Sequence, residues 1–394
     1  MSGLKQAEER ANKIEVKPAR GAREQRQFLE LPYQLHKGNR NWVAPLKLAQ
    51  KDILNTLKHP FYKTADVEKF LAKRDGRVVG RVMAIINHAH NEFHGERTGF
   101  FGFFEVENDF EVAKALLDAA RDWVYSRGAQ AIRGPVNPST NYELGLLVEG
   151  FDTPPAVMMT YNPEYYVDLI ERYGFRKAID MYAYDIDVKS FIVSRKLKRV
   201  AERLKVKDKI SVRCVDMKDF KNEVEIVRRI YNDAWSNNWG FVPVSEAEFD
   251  HLAKDMKQIV DPEIVFIAEQ QTDEQGGKKP IGFFLAVPDI NLALRRINGR
   301  LLPFGLAKLW WHSRKIKHIR IITMGIVKEH QNMGVASIFY NEIYRHSSSE
   351  RGYPSGEMSW VLENNVMMNR AAELIGGRRT KTYRIYELRI ENVE

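Results

Sequence analysis

The chain has 394 residues, of which 44% are hydrophobic, so it is long enough for two or three domains with large cores. Its single cysteine excludes a disulfide framework within the chain and a metal cluster built from cysteines. No apolar run reaches the roughly 20 residues that a membrane span requires, and no secretory signal is evident. We therefore predict a cytoplasmic protein, and we expect the polar, charged residues 1–22 to form a poorly ordered tail.

The first half of the chain, residues 23–193, has the pattern of one α/β domain. Its predicted elements are a hairpin over 67–86, a strand over Thr98–Val106, a helix over Phe110–Tyr125, a strand over 129–134 and a helix over 164–173. The loop between that first strand and helix is Glu107-Asn108-Asp109-Phe110. It has two acids and no glycine, so it should repel a pyrophosphate.

A basic segment, residues 194–209, is predicted to be a helical connector, and a second domain is predicted over 210–394. The pattern there indicates strands over 210–215, 264–268, 280–287, 319–327, 358–362 and 382–390, and helices over 223–235, 337–345 and 366–375. The two halves thus present similar orders of strands and helices.

The stretch Gln331-Asn332-Met333-Gly334-Val335-Ala336 lies between a predicted strand and a predicted helix. A sharp turn of this kind leaves the first N–H groups of the helix unpaired, and the helix dipole makes them a binding site for a pyrophosphate. Gly334 would let the phosphates approach closely, and Gln331 could add a side-chain donor. An ordinary strand-to-helix turn is the alternative interpretation.

This spacing resembles the acyl-CoA loop of the GNAT (Gcn5-related) acyltransferases, and the order of elements from residue 210 onward is similar to that superfamily. The expected fold is therefore α/β (α+β), with two tandem GNAT-like acyl-CoA N-acyltransferase domains. Each domain should be a mixed, largely antiparallel sheet flanked by helices. Only the second has a loop suited to phosphate.

Several longer segments together resemble a narrower group, a bacterial family of tandem GNAT-like proteins similar to the bacterial ceramide synthases. They are 100–105, 134–141, 145–152, 161–166, 238–243, 288–291 and 359–363. The resemblance extends from about residue 28 to residue 388. It implies N-acylation of a long-chain sphingoid base, in its 3-keto form, with acyl-CoA as co-substrate and no metal.

The resemblance also implies roles for individual residues. Contacts with acyl-CoA are expected from the backbone at Ile326 and Val327, from the loop Gln331–Ala336, and from Asn365. The candidate catalytic carboxylates are Glu363, Glu105 and Asp289, and one of them needs a pKa near neutral to act as the base. Candidate acceptor contacts are Asn137, Asn141, Tyr142, Tyr161, Trp239 and Asn291. Each carboxylate could instead be a surface charge or a helix cap.

One feature departs from the GNAT pattern. The tyrosine that often protonates the departing thiolate is replaced by Ala372 in the second half and by Ile170 in the first. Tyr340 and Tyr344 are the remaining candidates for this role.

Residues 295–320 contain eight cations and no acid, interleaved with leucine, phenylalanine and tryptophan. This composition is typical of a segment that rests on anionic lipid, and we predict peripheral contact with the inner membrane. A solvated basic face and a nucleic-acid contact are the alternatives, although no nucleic acid is expected as a partner. Three other functions stay open: a non-catalytic acyl-CoA or lipid-binding module, an N-acyltransferase for another amine, and an aminoacyl-tRNA-dependent transferase.

Overall fold

The computed structural model describes residues 13–272, 277–349 and 352–390. The chain divides into two compact units. The first takes the described residues of Met1–Asp180, Ile297–Leu301 and Tyr383–Glu394, and the second takes those of Met181–Arg296 and Leu302–Thr382. The units are thus interleaved in sequence, whereas the domain boundaries proposed above follow chain order.

The elements up to residue 187 are β1 (Ile14–Pro18), α1 (Ala22–Leu35), α2 (Lys47–Ile53), β2 (Ala65–Arg74), β3 (Arg77–Asn87), α3 (His88–His94), β4 (Thr98–Val106), α4 (Phe110–Tyr125), β5 (Ala131–Gly134), β6 (Val136–Asn137), β7 (Glu143–Leu144), β8 (Leu146–Glu149), α5 (Tyr165–Tyr173) and β9 (Arg176–Asp187). A short 3₁₀ helix, Pro60–Lys63, precedes β2.

The remaining elements are α6 (Arg195–Lys207), β10 (Ile210–Cys214), α7 (Phe220–Trp235), α8 (Glu246–Met256), β11 (Val265–Gln271), β12 (Lys278–Pro288), α9 (Asn291–Leu294), α10 (Gly305–Ser313), β13 (His318–Ile326), α11 (Ala336–Ser347), β14 (Ser355–Leu362), α12 (Val366–Leu374) and β15 (Arg378–Arg389). Further 3₁₀ helices are Met217–Asp219, Pro262–Ile264 and Lys328–Met333. Among the described residues, no helix combines the length and apolar character that crossing a bilayer requires.

In the first unit, strands pair in the order β1-β2-β3-β4-β5, and β5 pairs with the end of β15. All of these pairs are antiparallel except β4 with β5, which runs parallel from Thr98 to Phe100 against Ala131 to Arg133. Helix α4 packs its apolar face, including Leu116 and Val124, into the core beneath this sheet. Its spacing of apolar residues explains why it forms there.

In the second unit, the order is the end of β9, then β14-β13-β12-β11-β10. Again one pair is parallel, β13 with β14. Two cores cover the sheet. One contains Ile338 and Phe339 of α11, and the other joins Ile226 and Ile230 of α7 to Phe283.

The tail predicted for residues 1–22 differs from the structure where it is described. Strand β1 pairs antiparallel with β2 from Ile14 to Pro18, and α1 begins at Ala22. The side chains of Ile14 and Val16 pack against the first unit's core, and these contacts stabilise β1. The charged residues that surround it in sequence did not indicate such contacts. Residues 1–12 lie outside the described part.

Candidate active site

The parallel pair of the second unit separates part-way along its length. The pairing of β13 with β14 ends at Ile321 and Met358, while β13 continues to Ile326 along β12. The backbone N–H of Val327 donates to Ile281 O at 2.9 Å. Because successive N–H groups of a strand point in opposite directions, the N–H of Ile326 faces the edge that β14 has left. Of the two predicted backbone donors, Val327 is therefore used by the sheet and Ile326 faces the opening.

We predicted that the chain turns directly from β13 into the next helix, and the structure differs. A 3₁₀ helix, Lys328–Met333, intervenes, and α11 begins at Ala336. Ser337 N donates to Gly334 O at 2.9 Å and Ile338 N to Val335 O at 3.0 Å. Among the described residues, the N–H groups of Gly334 and Ala336 have no acceptor. These two donors lie at the positive end of the helix dipole, where a phosphate oxygen would be stabilised.

Side chains within the loop support it from inside. The Gln331 amide donates to Ile326 O at 3.1 Å, rather than projecting toward a ligand as predicted. His330, which sequence reasoning missed, is buried, and its Nε2 lies 2.9 Å from Gln270 Oε1. Val335 is fully buried in the core, so its side chain does not reach the opening. Asn332 is exposed and Met333 is half-buried.

Gly334 is needed for a reason other than the predicted approach of phosphate. Its φ is +88°, in the left-handed region that L-residues with a side chain adopt at a cost. A Cβ there would lie 2.8 Å from Val200 Cγ1, on helix α6. Helix α6 also pairs Lys205 with Glu342 of α11 at 3.1 Å. The segment that we predicted to be a connector therefore packs beside the loop between β13 and α11.

The other side of the opening is formed by the end of β14 and the start of α12. The Asn365 side chain accepts a hydrogen bond from Met368 N at 3.1 Å, so Asn365 is the N-cap of α12. Glu363, half-buried, comes two residues earlier, directly after β14. Asn369 fixes this corner, since its amide donates to Leu362 O at 2.9 Å and accepts from Tyr184 Oη at 2.9 Å.

The position usually held by the acidic tyrosine has no room for one. Ala372 is fully buried, and its carbonyl accepts from Gly377 N at 2.9 Å. The hydroxyl of Tyr340 lies 4.0 Å from Met368 Sδ on α12. Burial raises the pKa of Tyr340 to about 12, so this phenol keeps its proton at neutral pH.

A buried polar network where β13 and β14 still pair was not predicted from the sequence. Arg320 Nε donates to Ser359 Oγ at 3.0 Å, and Arg320 Nη2 donates to Ser359 O at 3.0 Å. Ser359 Oγ in turn donates to Glu357 Oε1 at 2.6 Å, and all three residues are buried. The available signal was an arginine and a glutamate within two apolar strands, because such charges are buried only with partners.

The predicted acceptor contacts of the second unit lie near β12 and between α7 and α8. Asp289 and Asn291 are both buried, and Asp289 Oδ1 accepts from Asn291 N at 3.2 Å at the start of α9. This bond is typical of a cap. Trp239 is half-buried in the segment that joins α7 to α8.

In the first unit, Glu105 is the centre of a buried polar cluster. Its carboxylate lies 2.8 Å from His36 Nε2, accepts from Tyr166 Oη at 2.8 Å, and lies 3.9 Å from Arg81 Nη2. Burial alone would raise the pKa of Glu105, but His36 first and then Arg81 outweigh it and leave the pKa lowered. The pKa of Glu105 is therefore shifted away from the near-neutral value that a general base needs. A carboxylate held in this ionised state is a poor general base.

The other candidate residues of the first unit make contacts that stabilise its loops. Asn137 Oδ1 accepts from Phe103 N at 2.6 Å, where Phe103 has a φ of +49°. The contacts of the rest are Asn141 N with Ser139 Oγ at 3.2 Å, the Tyr142 ring with the His59 ring at 5.6 Å, and Tyr161 Oη with Asn39 at 3.4 Å.

The loop before α4 is occupied by its own side chains. Asp109 Oδ1 accepts from the N–H groups of Glu111 and Val112 at 3.0 and 3.2 Å, which uses donors that a phosphate would need. Asp109 also pairs with Arg74 at 2.7 Å, and Glu107 pairs with Arg77. A pyrophosphate would have to displace Asp109 to reach these donors, and its absence from the first unit stays a prediction.

Comparison with known proteins identifies the family. A protein of Caulobacter vibrioides named bacterial ceramide synthase is 38% identical over 380 residues, which are 95% of this chain and 97% of the relative. The chain belongs to the family of tandem GNAT-like acyltransferases similar to bacterial ceramide synthase. Protein YghO of Escherichia coli is 36% identical over 368 residues, 92% of each chain. No protein-family model matches the sequence.

Solved structures agree on the fold of this acyltransferase. A tandem GNAT protein from the clavulanic acid biosynthesis pathway has a TM-score of 0.55 at 11% identity and covers 97% of this chain and 100% of its own. A GCN5-related N-acetyltransferase from Anabaena variabilis has a TM-score of 0.50 at 11% identity, over 95% of this chain and 72% of its own. The predicted family, fold class and enzyme class are confirmed.

Proposed function

We propose that this enzyme transfers a long-chain acyl group from acyl-CoA to the amine of a sphingoid base, at the opening between β13 and β14. The observation that carries the substrate assignment is the relative named bacterial ceramide synthase, which is 38% identical across 95% of the chain. In the reaction, the amine nitrogen attacks the thioester carbonyl and the C–S bond breaks. The nitrogen loses one proton and the thiolate gains one, so the products are an amide and free CoA.

The proposed binding of acyl-CoA depends on three backbone N–H groups. The N–H groups of Gly334 and Ala336 would bind pyrophosphate oxygens, and the N–H of Ile326 would stabilise the thioester oxygen as it gains negative charge. The side chains of Asn332 and Met333 border the same loop. Asn365, through its cap, holds α12 at the far side of the opening.

We assign the base to Glu363. It directly follows β14 at the opening and is half-buried. Asp289, by contrast, accepts a hydrogen bond from Asn291 N at the start of α9, and Glu105 is held ionised by His36 and Arg81. We assign proton donation to the thiolate to Tyr340, because burial keeps this phenol protonated and its hydroxyl lies 4.0 Å from Met368 Sδ on α12. Trp239 and Asn291 remain the proposed acceptor contacts in this unit.

Turnover by the full chain tests the proposal. With palmitoyl-CoA and 3-ketosphinganine, we expect equal amounts of free thiol and N-acyl product by mass spectrometry, and acetyl-CoA should give much less. Glu363→Gln should lower kcat by about 10²-fold or more, while Glu373→Gln, an exposed glutamate on α12, should not. Absence of amide from 3-ketosphinganine and sphinganine, with acyl-CoA still bound, would contradict the sphingoid assignment.

A further inference from the structure

Helix α10 and the residues just before it carry an exposed apolar patch. Of the nine helical residues, only Gly305 is buried. The patch consists of five large side chains, which are Leu302 (83% exposed), Phe304 (73%), Leu306 (62%), Trp310 (53%) and Trp311 (56%). Large apolar side chains that lie together on a surface mark a contact site, because each loses favourable burial when left in water.

Cations border this patch on the same segment. The Arg314 guanidinium lies 3.7 Å from the centre of the Trp310 ring, and Lys315 Nζ lies 4.6 Å from that of Trp311. Lys308 and Lys317 are exposed as well. Between residues 295 and 320 the sequence has no acid. The occupant of this surface must therefore combine an apolar layer with negative charge.

We propose that this patch docks on an anionic lipid bilayer. Tryptophan and leucine would enter the boundary between headgroups and acyl chains, while Lys308, Arg314 and Lys315 would contact the lipid phosphates. A second copy of the chain is a poor occupant, because a two-fold contact would set cation against cation with no acid to pair them. Single-stranded nucleic acid stacks on aromatic faces, but a cation already covers one face of each tryptophan.

The inference goes beyond the proposed function, because it names the surface that meets the membrane and holds for any lipid acceptor. The full chain would be sedimented with vesicles of phosphatidylcholine alone and with equimolar phosphatidylcholine and phosphatidylglycerol. We expect binding to the anionic vesicles that weakens as salt rises, with a blue shift of tryptophan fluorescence. Binding to the neutral vesicles should be about tenfold weaker or more.

Two double variants test the patch itself. Trp310→Ala/Trp311→Ala and Lys308→Glu/Lys315→Glu should each lower vesicle affinity by about tenfold or more, and should leave the melting temperature unchanged because these side chains are exposed. The matched control is Leu57→Ser/Lys58→Glu, where a leucine that is 95% exposed adjoins an exposed lysine. This control should bind vesicles as the unmodified protein does.

Vesicle binding that equals the unmodified protein's in both patch variants would overturn the inference. So would absence of vesicle binding, a patch-dependent change of oligomeric state by light scattering, or tighter patch-dependent binding to oligothymidylate than to vesicles. Turnover in detergent micelles separates this result from the enzyme assignment, since patch variants should turn over lipid substrate there at the normal rate. Lost vesicle binding with normal micellar turnover in the variants is the expected result.

Discussion

Glu105 shows how distant partners decide the state of one side chain. In sequence it lies between Phe104 and Val106, which predicts an apolar environment. In the fold it meets His36 and Tyr166, which are 69 and 61 residues away along the chain. Because these contacts arise only on folding, the lowered pKa of Glu105 could not be predicted from its neighbours.

A carboxylate whose pKa is lowered by folding stabilises the fold above its unfolded pKa and loses that contribution as pH falls through its folded pKa. Glu105→Gln should therefore cost about 3–5 kcal/mol at pH 7, since it leaves buried partners without their counter-charge. The deficit should shrink below pH 4.5, the ordinary pKa from which folding lowers this group. Calorimetric unfolding of both proteins across this pH range measures the difference.

Glu107→Gln is the matched control, because Glu107 pairs with Arg77, whose side chain is 64% exposed. That pair is expected to contribute less than about 1 kcal/mol. A deficit in Glu105→Gln that is equal at pH 7 and at pH 4 would contradict the ionised state.

At the scale of elements, the loop between β13 and α11 is determined by contacts from outside itself. The turn at Gly334 could be predicted from the sequence, but the 3₁₀ helix Lys328–Met333 could not. That helix depends on His330 meeting Gln270 and on Asp233 accepting from Lys328 N at 2.8 Å. Both partners lie on other elements, so no local pattern contains them.

Gly334→Ala separates backbone strain from packing when compared with Gly38→Ala. Both glycines have a φ of +88°, but a Cβ at Gly38 meets nothing within 4 Å, whereas at Gly334 it lies 2.8 Å from Val200 Cγ1. Gly38→Ala should cost about 1–2 kcal/mol for the left-handed backbone alone, and Gly334→Ala should cost more. Adding Val200→Ala should reduce the packing part, as a three-variant denaturation series would show. Equal losses in both glycine variants would argue against the contact with α6.

At the scale of the molecule, local patterns were sufficient where neighbours in sequence are also neighbours in the fold. Strand Thr98–Val106 and helix Phe110–Tyr125 were predicted to the residue because each has its own periodicity and a terminal signal. Strand β9 was missed because Asp180 interrupts its apolar alternation. This acid is buried with Arg384, 204 residues away, and Lys177 as partners.

Helix α8 was also missed, although a signal was present. Ser245 accepts from Glu248 N at 3.3 Å, and a serine followed three residues later by glutamate is the capping-box pattern. The family resemblance predicted a site at the opening between β13 and β14. Proposing which carboxylate is the base, however, required the contacts that each carboxylate makes in the fold. The two units differ in the loop before α4 and the loop before α11. Asp109 caps its own helix, while Gly334 and Ala336 leave donors unpaired among the described residues.

The proposed function requires that acyl-CoA binds at the start of α11. Isothermal titration of palmitoyl-CoA into Ala336→Asp and Ala336→Asn tests it, because the two side chains have the same size and differ in charge. The helix dipole stabilises a carboxylate in the first turn, so Ala336→Asp should stay folded. The added negative charge should nevertheless repel the pyrophosphate. We predict that Ala336→Asp binds about tenfold more weakly than Ala336→Asn, or worse, which is about 1.4 kcal/mol. Equal affinity of the two folded variants would contradict the assigned site.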